Sequence, residues 1–237
     1  VGIMTPWNVP INMIFSPLAD VLGAGNRAMI KPSEFTPATA ELMKRLFADS
    51  FEPSEICVVT GGPEVGAAFS SLHLDHLIFT GATGIGRHVM RAAAENLVPV
   101  TLELGGKSPV IVSAQGDLRK AADTIITGKA MNGDNPDFVA CVNERHFDRI
   151  SRYIEEAREQ GVRVLPLCPP GEDLSDRAAH KIALHLLIDP ADDLACMTQE
   201  IFGPLLCIKT YSAIDEVIDY INAGEKPLAL YYFGTDK

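Results

Sequence analysis

Basic residues are scarce in this chain. Its 237 residues hold 20 Lys and Arg against 31 Asp and Glu, for a net charge of −11 and a pI near 4.9. A nucleic-acid reader needs a clustered Lys/Arg surface, so this balance argues against nucleic acid as a partner. Cysteine is sparse and unpatterned. The five, at positions 57, 141, 168, 196 and 207, form no C-x-x-C pair and stand at no metal-ligand spacing with histidine. Neither a zinc site nor a disulfide framework is expected, and reduced thiols in a cytoplasm are the default. Long apolar runs are also missing. Residues 1–19 carry no charge, yet Pro6, Pro10 and Pro17 interrupt them and Asn8 and Asn12 are polar, which argues against a membrane span. There is no basic leader, internal repeat or low-complexity tract. What remains is 47% hydrophobic and 22% charged, an ordinary globular composition suited to one or two cores and small-molecule partners. The chain starts on Val1 and closes with an apolar run over 228–233, so both ends read as cut from something longer.

Between residues 28 and 104, short β-branched runs alternate with helical patterns. Strands are expected at 28–30, 56–60, 77–80 and 98–104, and helices at 37–47, 64–71 and 86–95. Such alternation predicts a parallel sheet covered by helices, with strand C-termini and helix N-termini along one edge. That edge would hold Lys31, Gly61-Gly62 and the turn Gly81-Ala82-Thr83-Gly84-Ile85-Gly86, making it the address for a polar ligand. A second α/β segment follows, with strands at 110–112, 162–165, 184–188 and 205–209 and helices at 118–130, 144–160 and 214–222. Glu103 stands where the two segments meet, a reasonable place for an active site.

Each motif has a plain reading beside a chemical one. The glycine turn at 81–86 follows a strand and opens a helix, so its N–H groups and the helix dipole suit a pyrophosphate, while a simple tight turn explains it equally well. Lys31-Pro32-Ser33-Glu34 reads as a solvated strand end with a helix-capping Ser. Pro6-Trp7-Asn8 reads as a turn beneath an aromatic, although an Asn amide can also stabilise an oxyanion by about 3 kcal/mol. Glu200-Ile201-Phe202-Gly203-Pro204 reads as a strand cap and a core aromatic. Glu103, at the end of an apolar strand and before Gly105-Gly106, can serve as a base.

Taken in order, Pro6-Trp7-Asn8, Glu103-Leu104-Gly105-Gly106-Lys107-Ser108-Pro109 and Glu200-Ile201-Phe202-Gly203-Pro204 resemble the aldehyde dehydrogenase superfamily over nearly the whole chain. The resemblance implies a Rossmann-like cofactor domain over 1–102 without its N-terminal part, a second α/β catalytic domain over 103–230, and the start of a return to the cofactor domain at 231–237. It also implies NAD as cofactor, with NADP as the alternative, an aldehyde substrate, no metal, and a homodimer or homotetramer. Lys31 and Glu34 would bind the adenosine ribose, and a carboxylate there should repel a 2′-phosphate, favouring NAD. Trp7, Gly81, Ala82, Thr83, Ile85 and Gly86 would line the cofactor. Ala82 stands where the family commonly has Ser, removing one hydroxyl contact to phosphate. Glu200 would meet the nicotinamide ribose and Phe202 the nicotinamide's flank. Asn8 would hold the oxyanion, and Glu103, tuned by partial burial, would activate the water that hydrolyses a cysteine thioester formed by way of a thiohemiacetal. The stretches Asn143-Glu144-Arg145-His146-Phe147-Asp148-Arg149-Ile150 and Pro227-Leu228-Ala229-Leu230-Tyr231 look most like the branch of coniferyl, fatty and aromatic aldehyde dehydrogenases, which points to a bulky hydrophobic aldehyde.

The sequence departs from the family's pattern in one respect that matters to the chemistry. Where the family has its nucleophilic Cys, five residues beyond Asn132, this chain has Asp137. A segment of a few tens of residues is expected to be absent after Asn132. Cys141 reads as a buried structural thiol and His146 as a packing or capping residue. Two other readings stay open, a cofactor-binding or scaffolding homologue without catalysis, and a reductase of acyl phosphates or acyl thioesters, against which Glu103 argues.

Overall fold

Five short apolar runs near the N-terminus pair side by side as parallel strands. They are β1 (Gly2–Met4), β2 (Ala28–Lys31), β3 (Ile56–Val58), β4 (Leu77–Gly81) and β5 (Val100–Leu104), in the spatial order β3-β2-β1-β4-β5. The computed structural model describes residues 1–130, 140–168 and 174–235. It divides into two units, Val1–Gly105 and Gly106–Lys237.

In the first unit the helices α1 (Asn12–Gly23), α2 (Pro37–Ser50), α3 (Pro63–Ser70) and α4 (Thr83–Ala94) supply the crossovers. Successive strand residues point to opposite faces, so each face acquires its own core. Ile3, Ile30, Ile56 and Val58 bury against Ile14, Leu18, Met43 and Phe47 of α1 and α2. Met4, Leu77 and Phe79 bury against Phe69, Val89 and Ala93 of α3 and α4. The helices bury residues at helical spacing, Ile14, Leu18 and Val21 in α1 and Ala40, Met43 and Phe47 in α2. Pro37 opens α2, where its missing N–H costs nothing. The chain steps outward from β1 through β2 to β3, then returns to lay β4 on the other side of β1. Strand order reverses between β1 and β4, which in open α/β sheets is where a ligand crevice forms beyond the strand C-termini.

The second unit has β6 (Val110–Val112), α5 (Leu118–Ala130), α6 (Glu144–Glu159), β7 (Arg163–Leu167), β8 (Leu184–Ile188), α7 (Ala195–Thr198), β9 (Leu205–Ile208), α8 (Ile214–Ala223) and β10 (Tyr231–Phe233). β7 pairs antiparallel with β8, β8 pairs parallel with β9, and β6 and β10 form a separate parallel pair. Phe147, Ile150, Ile154 and Ala157 of α6 bury with Leu187, Leu205 and Cys196 in its core.

The structure departs from the sequence reading in several of its elements. β1 and α1 were not expected among the uncharged residues 1–19; α1 runs through Pro17, forgoing one backbone hydrogen bond for the burial of Ile14 and Leu18. β7 extends through Pro166, which an edge strand tolerates. The first unit ends at Gly105, just past β5, which pairs with β4 as far as Leu104 opposite Gly81. Residues 231–233 form β10, which pairs with β6.

Candidate functional site

Lys31 is the last residue of β2 and only 4% exposed. Its Nζ donates to Glu34 Oε2 at 2.9 Å. Burial alone would raise the Glu34 carboxyl. The hydrogen bond from Lys31, a backbone hydrogen bond at Glu34 and the ammonium charge outweigh burial and hold the carboxyl below its usual range. Ser33 does not cap α2; its Oγ accepts from the Phe35 amide at 3.3 Å, and Thr36 stands at the N-cap. α3 passes close over the Lys31 stem, where a Cβ on Gly66 would make an ordinary contact with Lys31 Cε at 3.8 Å.

At the end of β4 the helix starts earlier than the sequence suggested, at Thr83, with Ala82 extended at the N-cap and no side chain capping it. The first-turn amides of Thr83, Gly84 and Ile85 have no intrahelical acceptor, as at any helix start. They and the helix dipole favour an anion. Gly86 is buried, and a Cβ on it would come within 2.7 Å of Leu104 Cδ2, so its bareness lets α4 close on β5. Ala82 and Ile85 are exposed, as a ligand-facing turn requires.

Glu103 lies one residue from the end of β5. Leu102 and Leu104 pack into the core beneath α4, which by strand alternation leaves Thr101 and Glu103 on the other face, exposed. The partial burial expected of this base is therefore not found among the described residues. Asn8 is exposed and Trp7 half-buried in the loop between β1 and α1. Asn8, Lys31, Glu34, Gly81 to Gly86 and Glu103 thus all follow or end parallel strands, on the C-terminal edge of one sheet.

Glu200 and Phe202 belong to the second unit, in the turn between α7 and β9. Phe202 has φ 44, a left-handed conformation rare for a bulky residue, and is 47% exposed. Two cations secure the backbone of this turn. Arg149 of α6 donates from Nη1 to the Glu200 carbonyl at 2.9 Å and from Nη2 to the Ile201 carbonyl at 2.6 Å. Lys107 Nζ donates to the Cys196 carbonyl at 2.6 Å and to the Gln199 carbonyl at 3.1 Å. Tyr153 connects the two sides, accepting from Arg149 and donating to Gln199 Oε1 at 2.9 Å. A Cβ on Gly203 would fall 2.8 Å from Ile150 Cδ1, so α6 also seats the turn sterically. The sequence reading missed Arg149 and Lys107 as supports. Arg149 and Tyr153 stand four apart on one helix face, a signal that names a surface but not the distant carbonyls it meets.

Asn132 and Asp137 lie outside the described residues. Cys141 is half-buried, its amide bonded to the His180 carbonyl; burial pushes its thiol up, against a smaller opposing effect of Arg149. Asn143, rather than the His146 ring, caps α6, accepting from the His146 amide at 3.0 Å. Burial first, then Arg149 and Arg145, lowers the His146 imidazole.

Comparison with known proteins gives consistent matches. The model of the aldehyde dehydrogenase family matches residues 1–135 and 130–237. A probable coniferyl aldehyde dehydrogenase of Caulobacter vibrioides is 50% identical over 273 residues, covering 100% of this chain and 56% of the relative. A coniferyl aldehyde dehydrogenase of a Pseudomonas species is 44% identical over 272 residues, with the same coverage of 100% and 56%. Among solved structures, a Mycobacterium tuberculosis aldehyde dehydrogenase complexed with NAD+ superposes with a TM-score of 0.85 at 29% identity, covering 99% of this chain and 56% of that one. The chain spans a little over half the length of the curated relatives it matches.

Proposed function

Because the chain belongs to the aldehyde dehydrogenase family, we propose that the complete protein oxidises a hydrophobic or aromatic aldehyde, of the coniferyl aldehyde kind, to its carboxylic acid with NAD. The observation that carries this reading is the strand-end edge of the first unit, where Lys31 with Glu34, the uncapped start of α4, Asn8 and Glu103 follow strands around the β1/β4 reversal.

Those residues fit a dinucleotide. The free first-turn amides of α4 suit its pyrophosphate, and the Lys31–Glu34 pair offers a donor and an acceptor to a ribose diol. Glu34 is held ionised, and a carboxylate there disfavours a 2′-phosphate, which supports NAD over NADP. Glu200, on a turn braced by Arg149 and Lys107, suits the second ribose. When bound, the nicotinamide supplies the hydride acceptor.

The side chains divide the remaining work. Asn8 donates an amide N–H to the oxygen that gains charge when a thiolate adds to the aldehyde carbon. Glu103 takes a proton from the water that attacks the resulting thioester; the C–S bond breaks, and acid and thiol leave. The thiol itself is the cysteine that this chain lacks at the family's position. An alignment of 273 residues against a chain of 237 leaves 36 positions of the relative unmatched, and the two family matches meet at 130–135. We assign the missing thiol to that gap.

The test compares the 237-residue chain with a completed chain, in which the corresponding segment of the Caulobacter relative is inserted after Asn132 and the remainder of that relative, of which this chain covers 56%, is joined at the two ends. The first should bind NAD and form no NADH from coniferyl aldehyde; the second should form it. Glu103→Gln in the completed chain should keep a burst of NADH and then stall. A completed chain that folds and binds NAD but oxidises neither coniferyl nor long-chain aldehydes would overturn the proposal, as would steady turnover at the wild-type rate in Glu103→Gln.

A further inference from the structure

The second unit contains two sheets, each with an unpaired edge among the described residues. β6 pairs with β10 alone, and β9 pairs with β8 alone. The ladder to β10 runs through the Pro109 carbonyl and the Ser113 amide. Backbone groups of successive strand residues turn to opposite edges, so the amides of Val110 and Val112 point away from β10. On β9 the Pro204 and Ile208 carbonyls accept from His185 and Asp189, and the same alternation leaves the Cys207 amide on the outer edge.

Two side chains hold these edges near each other. Tyr211, just past β9, donates from its hydroxyl to the carbonyl of Val112, the last residue of β6, at 2.9 Å. Lys107, ahead of β6, donates to the Cys196 and Gln199 carbonyls, ahead of β9. Like ends are thus matched, and β6 and β9 run in the same direction. Neighbouring strands lie about 4.8 Å apart, so two that flank one further strand stand about 10 Å apart. A tyrosine side chain and its hydrogen bond cross a span of that order.

We propose that the free edges of β6 and β9 are a docking site for one further parallel strand, carried by the 36 positions that the Caulobacter relative has and this chain lacks, and that this strand joins the two sheets into one.

Length and place both fit this occupant. The two family matches meet at 130–135, directly after α5. β6 and α5 are then the first two members of a βαβ unit, whose right-handed crossover returns the chain parallel to β6. A segment of that length holds a strand of about 6 residues, a helix of about 12 and their connections. Parallel strands are ordinarily covered on both faces, yet Val110, Tyr231 and Tyr232 are 38%, 55% and 44% exposed. Two strands alone also make a marginal sheet, and merging the pair with β7, β8 and β9 removes that weakness. The proposal rests on the same assignment of the unmatched positions to one gap as the proposed function, but on neither the thiol nor turnover.

The experiment inserts that segment of the relative after Asn132, with any cysteine in it changed to Ser, and compares the result with the 237-residue chain by backbone hydrogen exchange. The amides of Val110, Val112 and Cys207 should exchange at least about tenfold more slowly with the insertion, while those of β1 in the first unit keep their rates. Val112→Pro gives a second readout. An outward amide is dispensable in the 237-residue chain, so its urea midpoint should hold, whereas the chain with the insertion loses a ladder bond and its midpoint should fall. If the insertion does not fold, the segment added as a separate peptide to the 237-residue chain should slow the same three amides. Slowed exchange without NADH formation in the completed chain would keep this proposal and reject the proposed function. The proposal is overturned if the three amides keep their rates in both formats, or if Val112→Pro costs both chains equally. It is also overturned if the amides are already protected in a 237-residue chain that sediments as a dimer, since a second copy is then the occupant.

Discussion

Two buried side chains at neighbouring strand ends meet opposite fates. Lys31 brings its own counter-charge three residues later in Glu34, so its ammonium is paired despite being 4% exposed. Thr5, just past β1, is 7% exposed and its hydroxyl has no hydrogen-bond partner. A buried hydroxyl without a partner costs desolvation with no return, whereas a methyl of the same shape costs nothing. Thr5→Val should therefore stabilise the chain by about 1 kcal/mol in urea denaturation. A loss of stability would mean that the hydroxyl has a partner after all. The same reasoning separates the glycines: Gly86 and Gly203 are required by the closeness of Leu104 and Ile150, whereas Gly84 meets nothing within 4 Å and could carry a side chain.

Among the elements, α6 does most to shape the turn that carries Glu200 and Phe202. One face of it, Phe147, Ile150, Ile154 and Ala157, builds the core, and Arg149 beside that face holds two carbonyls of the turn. Charge-assisted bonds of this kind each contribute about 1.5–3 kcal/mol, and removing the donor leaves two carbonyls to find water. Arg149→Ala should cost about 3 kcal/mol of stability. It should also weaken NAD binding more than Arg149→Lys, since Lys restores one bond but not the fork. Equal NAD affinities by calorimetry for the wild type and Arg149→Ala would show that the turn holds its shape without the clamp. The sequence marks α6 plainly through its apolar spacing. It does not mark the clamp, because the two carbonyls lie about fifty positions away.

For the molecule as a whole, the acidic balance hides two covered cations. Burial lowers the ammonium groups of Lys107 and Lys129, and the charge of Lys107 lowers Lys129 further. A lysine whose folded pKa lies below its unfolded value binds fewer protons folded than unfolded between those two values. Its penalty is thus present at neutral pH and is relieved as pH rises through the folded value towards 10.5. Lys129→Met should gain stability over the wild type near pH 7, and the gap should narrow steadily towards pH 10.5. Urea midpoints measured across that range test it; a gap that stays constant or widens would be inconsistent with a covered, charged Lys129.

The sequence alone determined the class of the fold and which residues lie at the ends of its strands. Alternating apolar runs can be buried only as strands and helices in layers, and the residues that close those strands, Lys31, Gly81 and Glu103, fall on one edge by the geometry of parallel crossovers. Local patterns also located α5, α6 and β8 within one residue, and the start of α2. They did not reveal α1, where Pro17 argues locally against the helix that burial of Ile14 and Leu18 stabilises. Nor did they reveal that β10 joins β6, that Glu103 stands exposed, or that Lys107 and Cys207 meet at one carbonyl. Those outcomes depend on which distant groups fill the same space, and only the folded packing decides that.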